Sequence, residues 1–470
     1  MTDSTIAALA TPPGQGGVAL LRISGSAARQ VAAQIFRPLG ICRAFDVLTA
    51  PGYTMAYGEI CEPPPPDSVP TETTPPPIDE VVLLCYAAPH SYTGEDVVEL
   101  CCHGGDYVAR EVLRVVLAAG AQPAGPGEFT KRAFLNGKLD LTEAEAVMDI
   151  ISAESTQALH RAVEGRRGIV SRETQALCQE LVDLAARMTV WADFPEDDLP
   201  VITSEELLKT LSLLTDRLTR LLTGYENTRL LRRGIYTVIA GKPNVGKSSL
   251  FNLLAGHPRA IVTEQAGTTR DVIEEQVRLG DVVLRLADTA GIHPATDCVE
   301  EIGVGRAREE LTAADLVLLV LDGSQPLDAD DYAVLSAAAD KPSLLIIVNK
   351  ADLPQQADLS AIETQKTPIL RLSALQSAER SHLQEAVGKL EAIKQLHSDS
   401  TALFSARQKD SAAQAVSALE QARAAVREGQ TLDVPSLLID EAINALLSLS
   451  GERVSDEVID RVFSTFCIGK

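Results

Sequence analysis

Residues Tyr236 to Gly256 read YTVIAGKPNVGKSSLFNLLAG, and this stretch decides the fold expected for the centre of the chain. The strand-like run YTVIA passes into G-x-x-x-x-G-K-S and then into a helical pattern, which is the context of a phosphate-binding loop. Gly241 and Gly246 let the backbone approach phosphate oxygens, so that amide groups and the helix N-terminus point at the anion. Lys247 adds a cation for the β- and γ-phosphates, and Ser248 a hydroxyl for magnesium.

Three further motifs follow in the order expected of a GTPase. ADTAG comes after the strand-like DVVLRL, which places Asp288 where it can hold a magnesium-bound water and the Gly291 backbone near the γ-phosphate. LLIIVNKAD ends another strand with the N-K-x-D pattern, whose Asp352 carboxylate can accept from guanine N1–H and the 2-amino group. Adenine offers neither donor, so discrimination should be large. LSA, at residues 372–374, fits the loop whose backbone contacts guanine O6.

Three features of the motifs concern turnover of GTP. Ile292 follows Gly291 at the position where Ras-like switches carry the glutamine that orients water, so that route is missing. Thr269, in GTTRD, is a candidate second magnesium ligand and γ-phosphate sensor. Asn244 lies inside the phosphate loop, where its amide oxygen could hold a potassium ion that neutralises developing charge as an arginine finger does. A plain loop asparagine is the alternative for Asn244.

Four regions of the chain differ in pattern. Residues 1–122 carry short β-rich runs separated by turn residues, with one helix expected at Glu111–Gly120, and predict a small α+β domain. Residues 123–233 have a helical period, residues 234–392 alternate strands and helices as a mainly parallel sheet requires, and residues 393–470 are helical again. We therefore predict a multidomain α+β and α/β protein, in which both helical segments form one bundle and a Ras-like P-loop α/β domain is inserted in it.

Local patterns within these regions make further predictions. Glu62–Pro77 is too rich in proline for helix or sheet, and we expect an extended surface loop between two strands. Ser204 lies where the N-cap of the second long helix belongs. The apolar face of the first helical stretch is formed by Leu141, Ala144, Val147, Met148 and Ile151, and that of the second by Leu207, Leu208, Leu211, Leu214, Leu218 and Leu221.

Composition limits the classes of protein that the chain can be. A formal charge of -23 argues against a protein that coats nucleic acid through a basic surface, although a local basic patch remains open. The eight cysteines form no C-x-x-C pair, which is typical of a reducing cytosol. There is no apolar run of about 18 residues and no signal-peptide pattern at the start. We expect a cytoplasmic protein that does not enter a membrane.

Several stretches resemble the MnmE (TrmE) family of tRNA-modifying GTPases over essentially the whole length. They are TPPGQGGVALLRISG, SYTGEDVVELCCHGG, GPGEFTKRAFLNGKLDLTEAEAVMDII, DFPEDD, GKPNVGKSS, AIVTEQAGTTRDV, VEEIGVGRA and the terminal FCIGK. The resemblance implies a folate-binding N-terminal domain that dimerises, a helical domain and an inserted G domain. It also implies that a homodimer and a flavin-dependent MnmG/GidA-type partner, in a heterotetramer, add a carboxymethylaminomethyl or aminomethyl group to C5 of the wobble uridine of certain tRNAs.

The resemblance also assigns roles to individual residues. Catalysis is assigned to Lys247, Thr269, Asp288, Gly291 and Glu300, the last of which orients the attacking water through a second water. Magnesium is assigned to Ser248 and Thr269, potassium to Asn244, Thr263, Gln265 and Thr268, and 5-formyltetrahydrofolate to Arg22, Glu99, Lys138 and Lys470, with Cys467 near the folate pocket. GTP contacts are expected from Asn244, Val245, Gly246, Lys247, Ser248, Ser249, Thr263, Glu264, Gln265, Ala266, Gly267, Thr268, Thr269, Asp288, Thr289, Ala290, Gly291, Asn349, Lys350, Ala351, Asp352, Ser373, Ala374 and Leu375.

The chain departs from the family pattern at two places. Leu375 replaces the basic residue usual after Ser-Ala, and Cys101-Cys102 replaces a more polar pair.

A ribosome-assembly switch of the Era or Der type would need a KH domain or a second G domain, and the sequence shows neither. A folate-dependent one-carbon transferase with merely regulatory GTP is a third reading. Candidate RNA contacts, or else solvated surface, are Lys131-Arg132, Arg166-Arg167 and Arg232-Arg233.

Overall fold

A computed structural model describes most of the chain. The described residues are 4–63, 76–193, 203–256, 274–287, 310–339, 341, 343–363, 367–390, 393–394 and 403–470. They form two compact units, each built from separate stretches of sequence. The first unit comprises Met1–Met148, Arg166–Leu207 and Ser417–Lys470, and the second Asp149–Gly165 and Leu208–Val416. In the described part of the chain, no helix combines the length and the apolar character needed to cross a membrane.

The N-terminal part of the first unit is a seven-stranded sheet with helices on one face. Its elements are β1 (Ile6–Leu9), β2 (Val18–Ser24), α1 (Ala28–Ile35), β3 (Phe36–Pro38), β4 (Thr54–Ile60), β5 (Asp79–Tyr86), β6 (Val97–His103), α2 (Asp106–Ala118) and β7 (Gln122–Pro123). The strand order is β3-β4-β5-β6-β2-β1-β7, with every pair antiparallel except β1 and β7. Alternate side chains of β5, namely Val81, Leu83 and Cys85, join the core with Val112 and Val115 of α2. The period of two in the sequence therefore encodes one covered face.

The proline-rich segment connects β4 and β5, which are paired neighbours. The Ile78 amide donates to the Ile60 carbonyl oxygen at 2.7 Å and closes the strand pair at its base. The prediction that this segment lies between two strands is confirmed. Residues 64–75 of the segment lie outside the described residues.

Helices follow this sheet in the sequence, some within the first unit and others mostly within the second. They are α3 (Glu128–Leu135), α4 (Leu141–Ile151), α5 (Thr156–Arg166), α6 (Ile169–Asp193) and α7 (Ser204–Arg233). Within the first unit α6 packs along the helix formed by Asp433–Ser450, as predicted for a bundle formed by both helical segments.

The second unit holds a six-stranded sheet, and from Ser417 onward the chain belongs to the first unit; the elements of both stretches follow in sequence order. The elements are β8 (Ile235–Ala240), α8 (Lys247–Ala255), β9 (Glu274–Leu279), β10 (Val282–Ala287), β11 (Leu316–Asp322), α9 (Ala329–Ala338), β12 (Leu344–Asn349), α10 (Ser360–Glu363), β13 (Ile369–Arg371), α11 (Glu379–Gly388), α12 (Ala406–Arg427), α13 (Asp433–Ser450) and α14 (Asp456–Ser464). The helix that packs on α6 is α13.

The order of this second sheet is β13-β12-β11-β8-β10-β9, and all pairs are parallel except the β9–β10 hairpin. All seven residues of β11 and all six of β12 are buried, as central parallel strands require. The carboxyl ends of β8, β11 and β12 consequently meet at one edge, where parallel sheets place their ligands. The predicted fold class, a small α+β domain with a helical domain and a P-loop α/β domain, is confirmed.

Three local predictions are wrong. The helix expected at Glu111–Gly120 begins at Asp106 and ends at Ala118. The helix expected to be capped by Ser204 begins at that residue, because the Thr203 hydroxyl accepts from the Glu206 amide at 3.2 Å. Ile151, placed on an apolar face, is 45% exposed.

The predicted apolar face of α7 is confirmed, since Leu211, Leu214, Leu218 and Leu221 are buried.

Replacement of Arg132 by methionine is expected to destabilise the first unit. Its side chain is 3% exposed, donates to the Ser4 carbonyl oxygen at 2.6 Å and pairs with Glu128 at 2.9 Å and Glu95 at 3.3 Å. Loss of the cation leaves the partly buried carboxylates of Glu95 and Glu128 without this ion-pair partner, which should lower the unfolding free energy by about 3–5 kcal/mol. Hydrogen exchange of β1 and β2 amides in the full chain measures the change.

Arg114→Met is the matched control for that experiment. The Arg114 side chain is 48% exposed and pairs with Glu62 and Glu111 at the surface, where solvent screens ion pairs, so its removal is expected to change stability little. If Arg132→Met changed exchange no more than Arg114→Met does, the buried network would have no structural role.

Candidate nucleotide-binding site

The phosphate loop lies between the end of β8 and the start of α8. Gly241 has φ +148°, and a Cβ placed there would lie 2.4 Å from the Val320 carbonyl oxygen of β11. Gly246 has φ +103°, and its Cβ would lie 2.1 Å from Nδ2 of Asn349. Both motif glycines are therefore required by the neighbouring strands of the protein as well as by a close approach to phosphate.

Lys247 and Ser248 begin α8, where helix amides face an anion. The Lys247 ammonium donates to the carbonyl oxygens of Gly241 and Lys242, each at 2.8 Å. Burial lowers the pKa of Lys247, and a phosphate beside it would favour the charged form again. Asn244 is exposed with φ +66°, and Ser248 is exposed too. Amide and hydroxyl oxygens of this kind suit hard cations such as magnesium and potassium.

Asn349 joins the phosphate loop to the two predicted guanine loops. Its side chain is 3% exposed, and Nδ2 donates to the Val245 carbonyl oxygen at 2.8 Å. Its Oδ1 accepts from the Ala374 amide at 2.9 Å. One buried amide thus holds the loop after β8 and the Ser373–Ala374 loop in a fixed relation. Three of the four motifs found in the sequence are brought together by it.

The rest of the N-K-x-D segment turns outward at the end of β12. Lys350 has φ +63°, while Ala351 and Asp352 are exposed, so that the carboxylate is accessible to a base. Leu375 is 81% exposed next to the buried Ser373 and Ala374. This arrangement leaves a carboxylate and an aliphatic side chain beside the place where guanine is expected.

The sequence analysis missed Asp322, which ends β11 and is 5% exposed. Its carboxylate accepts from the Lys350 ammonium at 2.6 Å. Burial opposes its ionisation, but hydrogen bonds from Lys350 and Ser324 outweigh burial and lower the pKa of Asp322. A signal was present, because Asp322 ends an apolar strand just as Asn349 does, and the two are paired across the strands.

Many of the predicted site residues belong to stretches that the structure does not describe. Those that lie outside the described residues are Thr263, Glu264, Gln265, Ala266, Gly267, Thr268, Thr269, Asp288, Thr289, Ala290, Gly291 and Glu300. The described part of the site therefore comprises the loop predicted to face the phosphates and the loops predicted to face the base.

Three of the four predicted folate residues lie in one neighbourhood of the first unit. Arg22 Nε donates to Glu99 Oε1 at 2.8 Å, and the guanidinium lies 5.1 Å from the Tyr92 ring centroid and 5.5 Å from that of Phe129. The Phe129 amide donates to the Lys470 carbonyl oxygen at 3.1 Å. The fourth residue has a different contact: the ammonium of Lys138 donates to the Pro89 carbonyl oxygen at 3.1 Å.

The terminal C-I-G-K stretch packs on the same part of the unit. Ile468 forms a β-bridge with Pro126, and the Gly127 amide donates to the Cys467 carbonyl oxygen at 3.3 Å. A Cβ at Gly469 would lie 2.2 Å from the Leu9 carbonyl oxygen of β1. The glycine is thus needed for close packing, while Cys467 itself is exposed.

The basic clusters predicted as RNA contacts differ in their surroundings. The prediction is wrong for Arg132, which is buried in ion pairs, and Lys131 pairs with Asp460. Arg232 Nε lies 2.6 Å from Asp149 Oδ1. Arg166, Arg167 and Arg233 remain candidates.

Comparison with known proteins agrees with this geometry. The family model described as "GTP-binding protein TrmE N-terminus" matches residues 5–138, and "MnmE helical domain" matches residues 141–467. The tRNA modification GTPase MnmE of Levilactobacillus brevis is 40% identical over 471 residues, covering 99% of this chain and 98% of that protein. The protein of the same description from Natranaerobius thermophilus is 40% identical over 473 residues, covering 100% of both.

One of the solved structures that match part of the chain is a complex with RNA. Era in complex with MgGDPNP and nucleotides of 16S ribosomal RNA is 28% identical with a TM-score of 0.28, covering 33% of this chain and 56% of that one. The relatives that match from end to end set aside the ribosome-assembly alternative. Identity of 40% over the whole length shows that the chain belongs to the MnmE family of tRNA modification GTPases.

Proposed function

We propose that the chain is a potassium-stimulated GTPase whose cycle supports modification of tRNA. Working as a homodimer with a flavin-dependent MnmG/GidA-type partner in a heterotetramer, it adds a carboxymethylaminomethyl or aminomethyl group to C5 of the wobble uridine of certain tRNAs. The observation that carries the proposal is the buried Asn349 amide, which joins phosphate and guanine loops in a chain of this family. We place the protein in the cytoplasm.

In this proposal the chain binds GTP through residues of four loops and hydrolyses it by in-line attack of water on the γ-phosphate. Lys247 lies against the β- and γ-phosphates, and Glu300 orients the attacking water. Asp288 and Gly291 complete the γ-phosphate side of the site. GTP selection falls to Asp352, as two guanine donors can reach its carboxylate and adenine has neither.

Two metal ions and a folate are the other ligands that we propose for the chain. Ser248 and Thr269 would hold magnesium, while Asn244, Thr263, Gln265 and Thr268 would hold potassium. The two cations supply positive charge against the charge that develops on the phosphates. A 5-formyltetrahydrofolate or related folate would bind at Arg22, Glu99, Lys138 and Lys470. The flat Arg22 guanidinium beside two aromatic rings and a carboxylate suits a planar, hydrogen-bonding ligand.

The domain boundaries are part of the same proposal. We assign the folate-binding and dimerisation domain to residues 1–122, the first helical part to 123–233, the G domain to 234–392 and the second helical part to 393–470.

Potassium dependence tests the proposed GTPase mechanism most directly. The rate of GTP hydrolysis at saturating GTP is expected to be about tenfold or more higher in potassium chloride than in sodium chloride, since the larger ion fits the Asn244 site. Asn244→Ala should abolish the difference and retain binding of a non-hydrolysable GTP analogue. Equal rates of the parent protein in the two salts would remove the potassium site.

Coupling to tRNA modification needs a separate measurement. Cells that carry Glu300→Gln are expected to accumulate unmodified wobble uridine, detected by mass spectrometry of tRNA nucleosides. Normal modification with hydrolysis abolished would instead favour the one-carbon transferase in which GTP is only regulatory.

A further inference from the structure

Lys242, the first variable position of the phosphate loop, makes contacts that the G-x-x-x-x-G-K-S pattern does not require. Its ammonium donates to Asp328 Oδ2 at 2.8 Å and to Asp331 Oδ2 at 2.7 Å. The Lys242 side chain is 14% exposed and that of Asp331 only 2%. A buried carboxylate paired in this way is costly to separate from its cation, so the contact restrains both elements.

The two aspartates form the N-terminal cap of α9. Asp328 accepts from the amides of Asp330 and Asp331, and Asp331 Oδ2 accepts from the Asp328 amide at 3.1 Å, which is a reciprocal capping box. The same Asp331 oxygen also receives the Lys242 ammonium. The hydrogen bond from Lys242 is the main cause that lowers the pKa of Asp328 to about 2. The loop is therefore tied to a rigid helix start.

This link reaches the catalytic lysine through the backbone. The carbonyl oxygen of Lys242 is one of the two that hold the Lys247 ammonium. Fixing the side chain of residue 242 fixes the peptide that positions Lys247. The link also has a counterpart on the base side, since Asp322, at the other end of the β11–α9 connection, holds Lys350. Both nucleotide loops are thus anchored by ion pairs to one connection between a strand and a helix.

We propose that Lys242 is a positioning residue for GTP binding, which acts by anchoring the phosphate loop to Asp328 and Asp331 in the geometry that receives the triphosphate. Without the anchor the loop samples other conformations, and only the fraction in the correct one binds. The apparent affinity for GTP equals the intrinsic affinity multiplied by that fraction, whereas bound nucleotide restores the order of the loop. The anchor consequently acts on KM more than on kcat.

Steady-state GTP hydrolysis by the full chain tests this. Lys242→Met is expected to raise KM for GTP and the Kd for GDP about tenfold and to lower kcat less than about threefold. Lys242→Arg, which keeps the charge, should recover most of the affinity. Asp330→Asn is the matched control, because Asp330 is an exposed acid of the same helix start, and it should leave KM unchanged.

A double-mutant cycle separates anchoring from general damage. Lys242→Met combined with Asp331→Asn should bind GDP no more weakly than Lys242→Met alone, because both changes break one contact. If Lys242→Met does not fold, Asp328→Asn serves instead: asparagine still caps the helix, and KM should rise about twofold to fourfold. The proposal is overturned if Lys242→Met has the same KM for GTP as the parent protein within experimental error. The same holds for Asp328→Asn if that variant has to be used. Additive losses of GDP affinity in the double-mutant cycle also overturn it.

Discussion

Asn349→Ala is expected to weaken GTP binding about a hundredfold and to destabilise the second unit. The substitution removes both hydrogen bonds of the side chain and leaves the Val245 carbonyl oxygen and the Ala374 amide buried without that partner. Each such group costs about 1–3 kcal/mol, so the unfolding free energy should fall by about 2–6 kcal/mol. Part of this free energy is also lost from GTP binding, where about 1.4 kcal/mol corresponds to a tenfold weaker affinity.

Calorimetric titration with GDP and hydrogen exchange in β8 and β12 measure the two effects. Gln356→Ala is the control, because it removes an exposed amide from the connection that follows β12. Comparable affinities for Asn349→Ala and Gln356→Ala would show that the loops hold their relative position without the bridge.

Asp352→Asn is expected to exchange guanine selectivity for xanthine selectivity. The carboxylate accepts from two guanine donors, whereas an asparagine amide would present a donor to the 2-amino group. Xanthine carries an oxygen at that position and accepts from the new amide. KM for GTP should rise about a hundredfold to a thousandfold, and XTP should become the better substrate.

Competition between GTP and XTP in the hydrolysis assay checks this result. Asp330→Asn makes the same change of charge on the surface of α9 and should keep the preference for GTP. Were Asp352→Asn to retain that preference, Asp352 would not read the base, and the guanine assignment of N-K-x-D would fail.

Local patterns predicted much of the fold. Short β-rich runs between turn residues predicted β4, β5 and β6, and in β5 the alternate side chains of Val81, Leu83 and Cys85 are buried. The glycine spacing of the phosphate loop predicted its position between β8 and α8. The start of α2 was missed, since its first turn carries an exposed aromatic, Tyr107, in place of the expected apolar period.

Contacts between distant residues could not be predicted in the same way. Lys242 meets Asp331 only because β11 lies beside β8 in the sheet, and no local pattern gives that order. Arg132 looked like half of a solvated basic pair, yet its partners Ser4 and Glu95 come from two other parts of the chain. Burial of a charge is decided by such partners, which the local sequence does not show.

The closed base of the β4–β5 strand pair has a consequence for how the protein varies. Because the Ile78 amide meets the Ile60 carbonyl, strand alignment is set before the chain enters the proline-rich segment. The entropy of closing a loop rises only slowly with its length, by about 0.6 kcal/mol for each doubling. Evolution can therefore lengthen, shorten or rewrite this segment without moving the sheet, and its proline content need not reflect any constraint from the neighbouring core.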